Sequence, residues 1–197
     1  MFYVGLDLGQ KRDHAAIAVV EKEPGEELVR VRHLERMPLG TPYPRIVARV
    51  KALVTDDKIA GQCALAVDGT GVGAPVVDLL REANLGCELA AVTIGSGERE
   101  SFTGGMWSVP KRDLISGVQV MLEQGEMKIA RELRDASALM RELMDVKMTM
   151  SGGGYVRLGA DGSGEHDDLV IALSLACWMS KRKIRPEVHG RRRIPGF

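Results

Sequence analysis

The sequence has no excess charge of either sign, few histidines and cysteines, and no long apolar run, and each shortage removes a class of protein. Lysine plus arginine number 27 and aspartate plus glutamate 27. The molecule as a whole therefore has no field to draw in a polyanion, and any nucleic-acid affinity must come from local patches. The cysteines Cys63, Cys87 and Cys177 lie in apolar runs, with neither the even number of a disulfide framework nor the spacing of a zinc site. They read as small buried hydrophobes in a reducing compartment. No run approaches the roughly 18 apolar residues that a spanning helix needs, and the first residues read as a strand rather than an export signal. The expectation is a soluble cytoplasmic protein without membrane contact. What is present is a 197-residue chain with 45% hydrophobic content, enough for one well-filled core and short for two. Residues 1–183 read as one domain and 184–197 as a basic tail.

Three runs rich in aliphatic residues, Tyr3 to Leu8, Ala15 to Val20 and Leu28 to Leu34, predict antiparallel strands, with a hairpin turn at Glu23-Pro24-Gly25-Glu26. Ile46, Val47, Val50, Leu53 and Val54 recur at helical spacing behind Pro44. A buried strand (Ala64 to Val67), a helix (Pro75 to Ala83) and a second strand (Leu89 to Ile94) follow, which is the alternation of a parallel βαβ unit. Gly95 to Val109 reads as a polar loop and Pro110 to Gln124 as a helix with Leu114, Val118, Met121 and Leu122 on one face. Met127 to Ile129 reads as a short strand, and Ala136, Leu139, Met140 and Leu143 give the next helix its seam. Met140 to Met150 reads as adaptable core packing. Lys147 to Met150 and Tyr155 to Leu158 suit a hairpin, and a last helix is expected from near Glu165 to about Lys181 with Leu169, Ala172, Leu173 and Ala176 as its stripe. The class is α/β: a mixed sheet, three antiparallel strands followed by parallel ones, flanked by helices.

Asp7 interrupts the first apolar strand on the same face as Gly5 and Gly9, where a carboxylate is expensive unless solvated, paired or bound to a cation. Asp68 ends another buried strand and is followed by glycines. Ligands collect at the carboxyl ends of parallel strands, and two acids on neighbouring strand ends would repel without a cation between them. Glu165-His166-Asp167-Asp168 opens the last helix. Asp168 lies four residues before Ala172 and three after Glu165 on one face, and Asp167 about 100° away. Asp168 is thus the first choice as a ligand, Glu165 supports it and Asp167 is the backup. Acids in a first helical turn are also favoured simply as caps and by the helix dipole. Several carboxylates without a Cys or His cluster select Mg²⁺ or Mn²⁺, and two such ions about 4 Å apart suit phosphodiester hydrolysis.

With those residues in place, the sequence resembles the ribonuclease H-like superfamily, most closely the C-terminal nuclease domain of phage large terminase subunits. The matching stretches are Val4-Gly5-Leu6-Asp7-Leu8-Gly9 with Asp13, Val67-Asp68-Gly69-Thr70-Gly71-Val72-Gly73, Val109-Pro110-Lys111-Arg112-Asp113-Leu114, and Glu165-His166-Asp167-Asp168-Leu169-Val170-Ile171-Ala172-Leu173. The last is the most specific. The resemblance implies two metal ions held by Asp7, Asp68 and Asp168 or Asp167, with Asp13 close by, and a domain that cuts concatemeric double-stranded DNA during packaging. No Gly-x-x-x-x-Gly-Lys-Ser/Thr loop occurs, so the resemblance implies either an isolated nuclease domain or a stand-alone relative that depends on a separate ATPase motor, with a small terminase subunit or portal as further expected partners.

Holliday-junction resolvases share the fold and the acidic helix start, and actin-like ATPases and sugar kinases share the Asp-x-Gly opening and an Asp-Gly-x-Gly turn; both remain alternatives at the level of sequence. Lys111 and Arg112, and Lys181, Arg182 and Lys183 just before the basic tail, are the candidates for guiding a nucleic-acid backbone. His166 is a candidate for proton transfer, weighed against a solvated helix-start histidine.

Overall fold

The first three aliphatic runs form a continuous antiparallel unit: β1 (Phe2–Asp7) pairs with β2 (Ala16–Lys22), and β2 with β3 (Val29–Arg36). The computed structural model describes residues 1–9, 13–71, 73–150, 156–159 and 167–182. Helix α1 (Tyr43–Val54), with Pro44 in its first turn, leads to β4 (Cys63–Asp68), and α2 (Gly73–Glu82) leads to β5 (Glu88–Gly95). A hairpin, β6 (Ser101–Thr103) and β7 (Met106–Pro110), is followed by α3 (Lys111–Glu123), β8 (Met127–Ile129), α4 (Ala136–Asp145), the pair β9 (Lys147–Met150) and β10 (Val156–Gly159), and α5 (Asp168–Ser180). The main sheet has eight strands in the order β6-β7-β5-β4-β1-β2-β3-β8. β4 runs parallel to β1 on the side away from β2, and β5, β7 and β8 also join by parallel pairing.

Strand alternation sorts the residues between two layers. Val4, Leu6 and Leu8 of the first run pack with Leu65, Val67 and the apolar faces of α1 and α2. Tyr3, Ala64, Ala66 and Val92 face the other way, against α3, α4 and α5. Gly5 and Asp7 share the face of Tyr3, and Asp68 that of Ala64 and Ala66. Both acids therefore belong to the α5 side. Gly5 has a physical reason: a Cβ there would stand 1.9 Å from the carbonyl oxygen of Ala172 and 2.7 Å from the amide nitrogen of Ala176. Only glycine lets the backbone of α5 approach β1 so closely.

Five expectations need correction. The stretch expected as a polar loop contains the β6–β7 hairpin, whose turn residues Gly104 and Gly105 have φ of 61° and 79°, the positive values that a two-residue hairpin turn requires. Helix α5 has no apolar stripe: it is buried all round, from Asp168 to Ser180 with Trp178 partly covered, because other elements surround it. Its first residue is Asp168 and Asp167 is its N-cap, so the helix does not take in Asp167 as expected. In α4 the covered face is Ala136, Leu139 and Glu142, whereas Met140 and Met144 are exposed, the latter by 70%. Those methionines are not core packing. Leu122 of α3 is likewise exposed, and Ile115 takes its place in the core.

Candidate active site

Asp7 and Asp68 end adjacent parallel strands one register step beyond the Leu6–Val67 pair, so their side chains emerge side by side, strands being about 4.8 Å apart. α5 lies across this end because Gly5 admits it, bringing Asp168, only 4% exposed, to the same place. Asp7, Asp68, Asp167 and Asp168 together line a cleft of about 280 Å³, with Leu8, Gly9, Asp13, Thr70, Ile94, Lys111 and Ile171 completing its walls. Three acids distant in sequence are thus gathered where ligands collect in sheets of this kind.

The electrostatics record the crowding. Burial first, and then the charges of Asp68, Asp168 and Asp167, hold the Asp7 carboxyl well above the usual aspartate range, with Lys111 pulling it part of the way back. Burial also raises Asp68, opposed by its Thr70 hydrogen bonds and by Lys111. The Asp68 carboxylate is fixed by its neighbour: Oδ1 accepts the Thr70 amide at 2.9 Å and the Thr70 hydroxyl at 2.5 Å, and that hydroxyl oxygen accepts the Ile94 amide of β5 at 2.9 Å. Lys111, the first residue of α3, reaches into the cleft and donates to Asp167 Oδ2 at 2.5 Å.

Asp167, the N-cap of α5, is relieved of capping duty. Asp167 makes no side-chain cap bond; Glu142 of α4 accepts the Val170 amide at 3.0 Å instead. The other oxygen of Glu142 is bound by the guanidinium of Arg36, whose Nε stands 3.8 Å from Asp168 Oδ2. Thr70, Glu142 and Arg36 did not emerge from sequence. A polar residue three positions after Leu139 on the covered face of α4 was the available signal.

Among the expected accessory residues, Asp13 is exposed on the cleft wall and also borders a neighbouring hollow lined by Tyr43 and Ile46. Arg112 is not turned to the acids: it binds the carboxylate of Asp113 and the carbonyl of Glu98. Arg182 is held between the rings of Trp107 and Trp178, 4.3 and 3.7 Å from their centres, and pairs with Glu100. With Lys181 it lies at the far end of α5, about 20 Å of helix from Asp168. Glu165, His166 and Lys183 lie outside the described residues. Cys63 and Cys177 are buried and Cys87 partly so, and all three are free thiols.

The donor set is of hard oxygens, suited to Mg²⁺ or Mn²⁺, and the mutual repulsion that raises Asp7 is what a divalent cation relieves. Among the described residues no three or more His, Cys, Asp or Glu side chains stand close enough together to hold a metal ion as they are placed. The acids face a common cleft instead.

A mixed sheet with this strand order, flanked by helices, is the ribonuclease H-like arrangement. Solved structures share it. The large terminase nuclease of thermophilic phage G20c superposes with a TM-score of 0.66 at 22% identity, covering 93% of this chain and 83% of its own. Its magnesium-bound form gives 0.67 at 24% identity, covering 90% and 80%. The manganese-bound nuclease domain of the bacteriophage SPP1 large terminase gives 0.58 at 11% identity, covering 91% and 86%. No curated protein sequence matches. The model of the terminase RNaseH-like domain matches residues 4–180, and the chain belongs to that family. Among the described residues no helix is long and apolar enough to cross a membrane.

Proposed function

We propose that the chain is a divalent-metal-dependent endonuclease that hydrolyses phosphodiester bonds in double-stranded DNA during phage genome packaging, with Asp7, Asp68 and Asp168 as the metal-holding and catalytic set. The observation that carries this reading is the meeting of carboxylates from β1, β4 and α5 in one cleft, with Asp7 raised by burial and by the charges of the others. Membership of the terminase family supplies the substrate class, and the metal-bound relatives support the choice of Mg²⁺ or Mn²⁺.

Asp7 and Asp68 would hold cations from the sheet side and Asp168 from the helix side, with Asp167 as a further ligand. Two bound ions would supply an activated water and stabilisation of the leaving oxygen. Thr70 keeps the Asp68 carboxylate in one orientation. Lys111, already paired with Asp167, is the cation within the cleft that can meet a phosphate oxygen. Asp13, Glu165 and His166 border this set in sequence or space as accessory groups. Lys181, Arg182 and Lys183 would contact the DNA backbone farther away. In packaging, the domain would work beside an ATPase motor and the small terminase subunit or portal.

Supercoiled plasmid incubated with the protein and millimolar Mn²⁺ or Mg²⁺ should be nicked and linearised. Chelation should stop the reaction, and Asp68→Ala should lower the rate at least about 100-fold, within the several kcal/mol that a metal contributes to such a step. ATP hydrolysis without cleavage would sink the nuclease reading.

A further inference from the structure

Cys63 opens β4, and Cys87 immediately precedes β5. These strands pair in parallel from Ala64–Glu88 onward, so one step earlier the register sets Cys63 beside Cys87. Cα atoms on neighbouring strands stand roughly 4.8 Å apart, within the roughly 4.4–6.8 Å that a disulfide spans. Alternation sends both side chains to the layer of α1 and α2, with Leu65 and Leu89. There the two thiols are hydrogen-bonded to each other. That bond holds the Cys63 thiol below its ordinary value against its burial. The same bond, burial and the charges of Cys63 and Glu88 push the Cys87 thiol up. The anion of the pair therefore falls on Cys63, and the thiolate is the nucleophilic form. In its thiol form Cys63 also donates to the Val54 carbonyl at 3.9 Å, a long contact that oxidation gives up. Cys63 is 5% exposed and Cys87 half-buried, which leaves the pair open to a small oxidant on the Cys87 side.

We propose that Cys63 and Cys87 form a redox-sensitive dithiol, which a hydroperoxide closes into a disulfide joining β4 to β5. The Cys63 thiolate attacks a peroxide oxygen, the O–O bond breaks, and Cys63 becomes S–OH while the departing hydroxide takes up the proton that Cys63 gave up. The Cys87 sulfur then attacks that sulfur. An S–S bond forms, and the Cys87 proton leaves with the hydroxyl as water. Two thiols and one hydrogen peroxide thus give one disulfide and two waters, each sulfur losing one electron and the peroxide gaining two. Such a pair suits a reducing compartment, where a disulfide is transient and senses oxidant rather than holding the fold. The bond closes the chain over residues 63–87, around α2, at the opposite end of β4 from Asp68. Cys177 is the internal control: it lies buried in the other layer, where burial pushes its thiol up to about 12.

The test treats the full native chain with hydrogen peroxide in slight excess and quenches with catalase. Thiol titration in denaturant, intact mass and peptide mapping read the product. The free thiols should fall from three to one, the mass should drop by two hydrogens, and the peptides of Cys63 and Cys87 should be joined within one chain. Dithiothreitol should restore both thiols. Cys177→Ala should lose two thiols as the parent does, whereas Cys87→Ala should form no disulfide within the chain. Three thiols retained overturns the proposal. So does a disulfide that includes Cys177 or joins two chains, and so does oxidation of Cys63 or Cys87 to a sulfinic or sulfonic acid with no bond between them. If Cys87→Ala does not fold, the mapped product of the parent alone decides. None of these readouts involves metal or DNA, so the outcome is independent of the nuclease reading.

Discussion

Asp7 is where burial and like charges act on a single group. A carboxyl whose pKa is raised in the folded chain binds its proton more tightly folded than unfolded, so its contribution to stability is complete below the ordinary aspartate value. That contribution is lost as the pH rises through the folded value. In chelator, stability should therefore fall with rising pH across that window, and Asp7→Asn should remove this part of the slope. At neutral pH without metal, Asp7→Asn should melt higher than the parent, by roughly 2–4 °C for each kcal/mol of repulsion relieved. Adding Mn²⁺ should invert the order, because only the parent gains binding energy in proportion to ligand over Kd. Thermal scans with EDTA and with Mn²⁺ check both halves, and a variant that melts lower than the parent in EDTA contradicts the repulsion. Thr70→Val removes the hydroxyl that joins the Ile94 amide to Asp68 and should cost about 1–2 kcal/mol in stability and about tenfold in cleavage rate. Asp7 and Asp68 stood out in the sequence because a carboxylate at the end of an apolar strand needs a reason, and Asp168 by its place on the helix face of Ala172; the structure brings all three to one cleft. Thr70, Arg36 and Glu142 did not stand out, since their value lies in partners up to 106 positions away.

Among the elements, α5 and β1 decide whether there is a site at all. Their close approach depends on Gly5, and the atoms that a Cβ would meet are backbone of α5, which cannot turn aside as a side-chain tip can. Gly5→Ala should destabilise the fold by about 2–4 kcal/mol, at the upper end of overpacking effects, and lower the cleavage rate by displacing Asp168 from Asp7. A urea midpoint equal to the parent's would show that the helix can retreat freely. Sequence placed these elements well because β1 to β5 are short aliphatic runs bounded by turn residues and α1 and α3 follow helical spacing. It missed the β6–β7 hairpin, although Gly104-Gly105 sits between Ser101-Phe102-Thr103 and Met106-Trp107-Ser108, because polar residues and short length hid the strand pattern. It gave α5 a stripe because periodicity describes a helix with one covered face, whereas this helix is covered on all sides.

On the scale of the whole molecule, charge balance is the deciding property. With 27 cationic and 27 anionic side chains, and with acids concentrated in the cleft, an approaching DNA phosphate meets local repulsion unless cations offset it. In the proposed function, divalent ions and Lys111 would offset it at the cleft. In the sequence, the cationic residues Arg185, Arg191, Arg192 and Arg193 fall within residues 184–197, accompanied there by only one acid, Glu187. If these arginines supply the nonspecific backbone affinity, they do so by releasing condensed counterions, and each phosphate neutralised steepens the dependence of log K on log salt by about 0.9. Deleting residues 184–197 should therefore flatten that slope by about 3 to 4, measured by fluorescence anisotropy on a labelled duplex in Ca²⁺ to prevent cutting. Metal affinity should stay as in the parent, since Asp7, Asp68 and Asp168 lie outside the deleted segment. A slope unchanged by the deletion would assign the backbone contacts to Lys111, Lys181 and Arg182 instead, and Lys111→Gln, which removes a single cation, should then lower it by about 1.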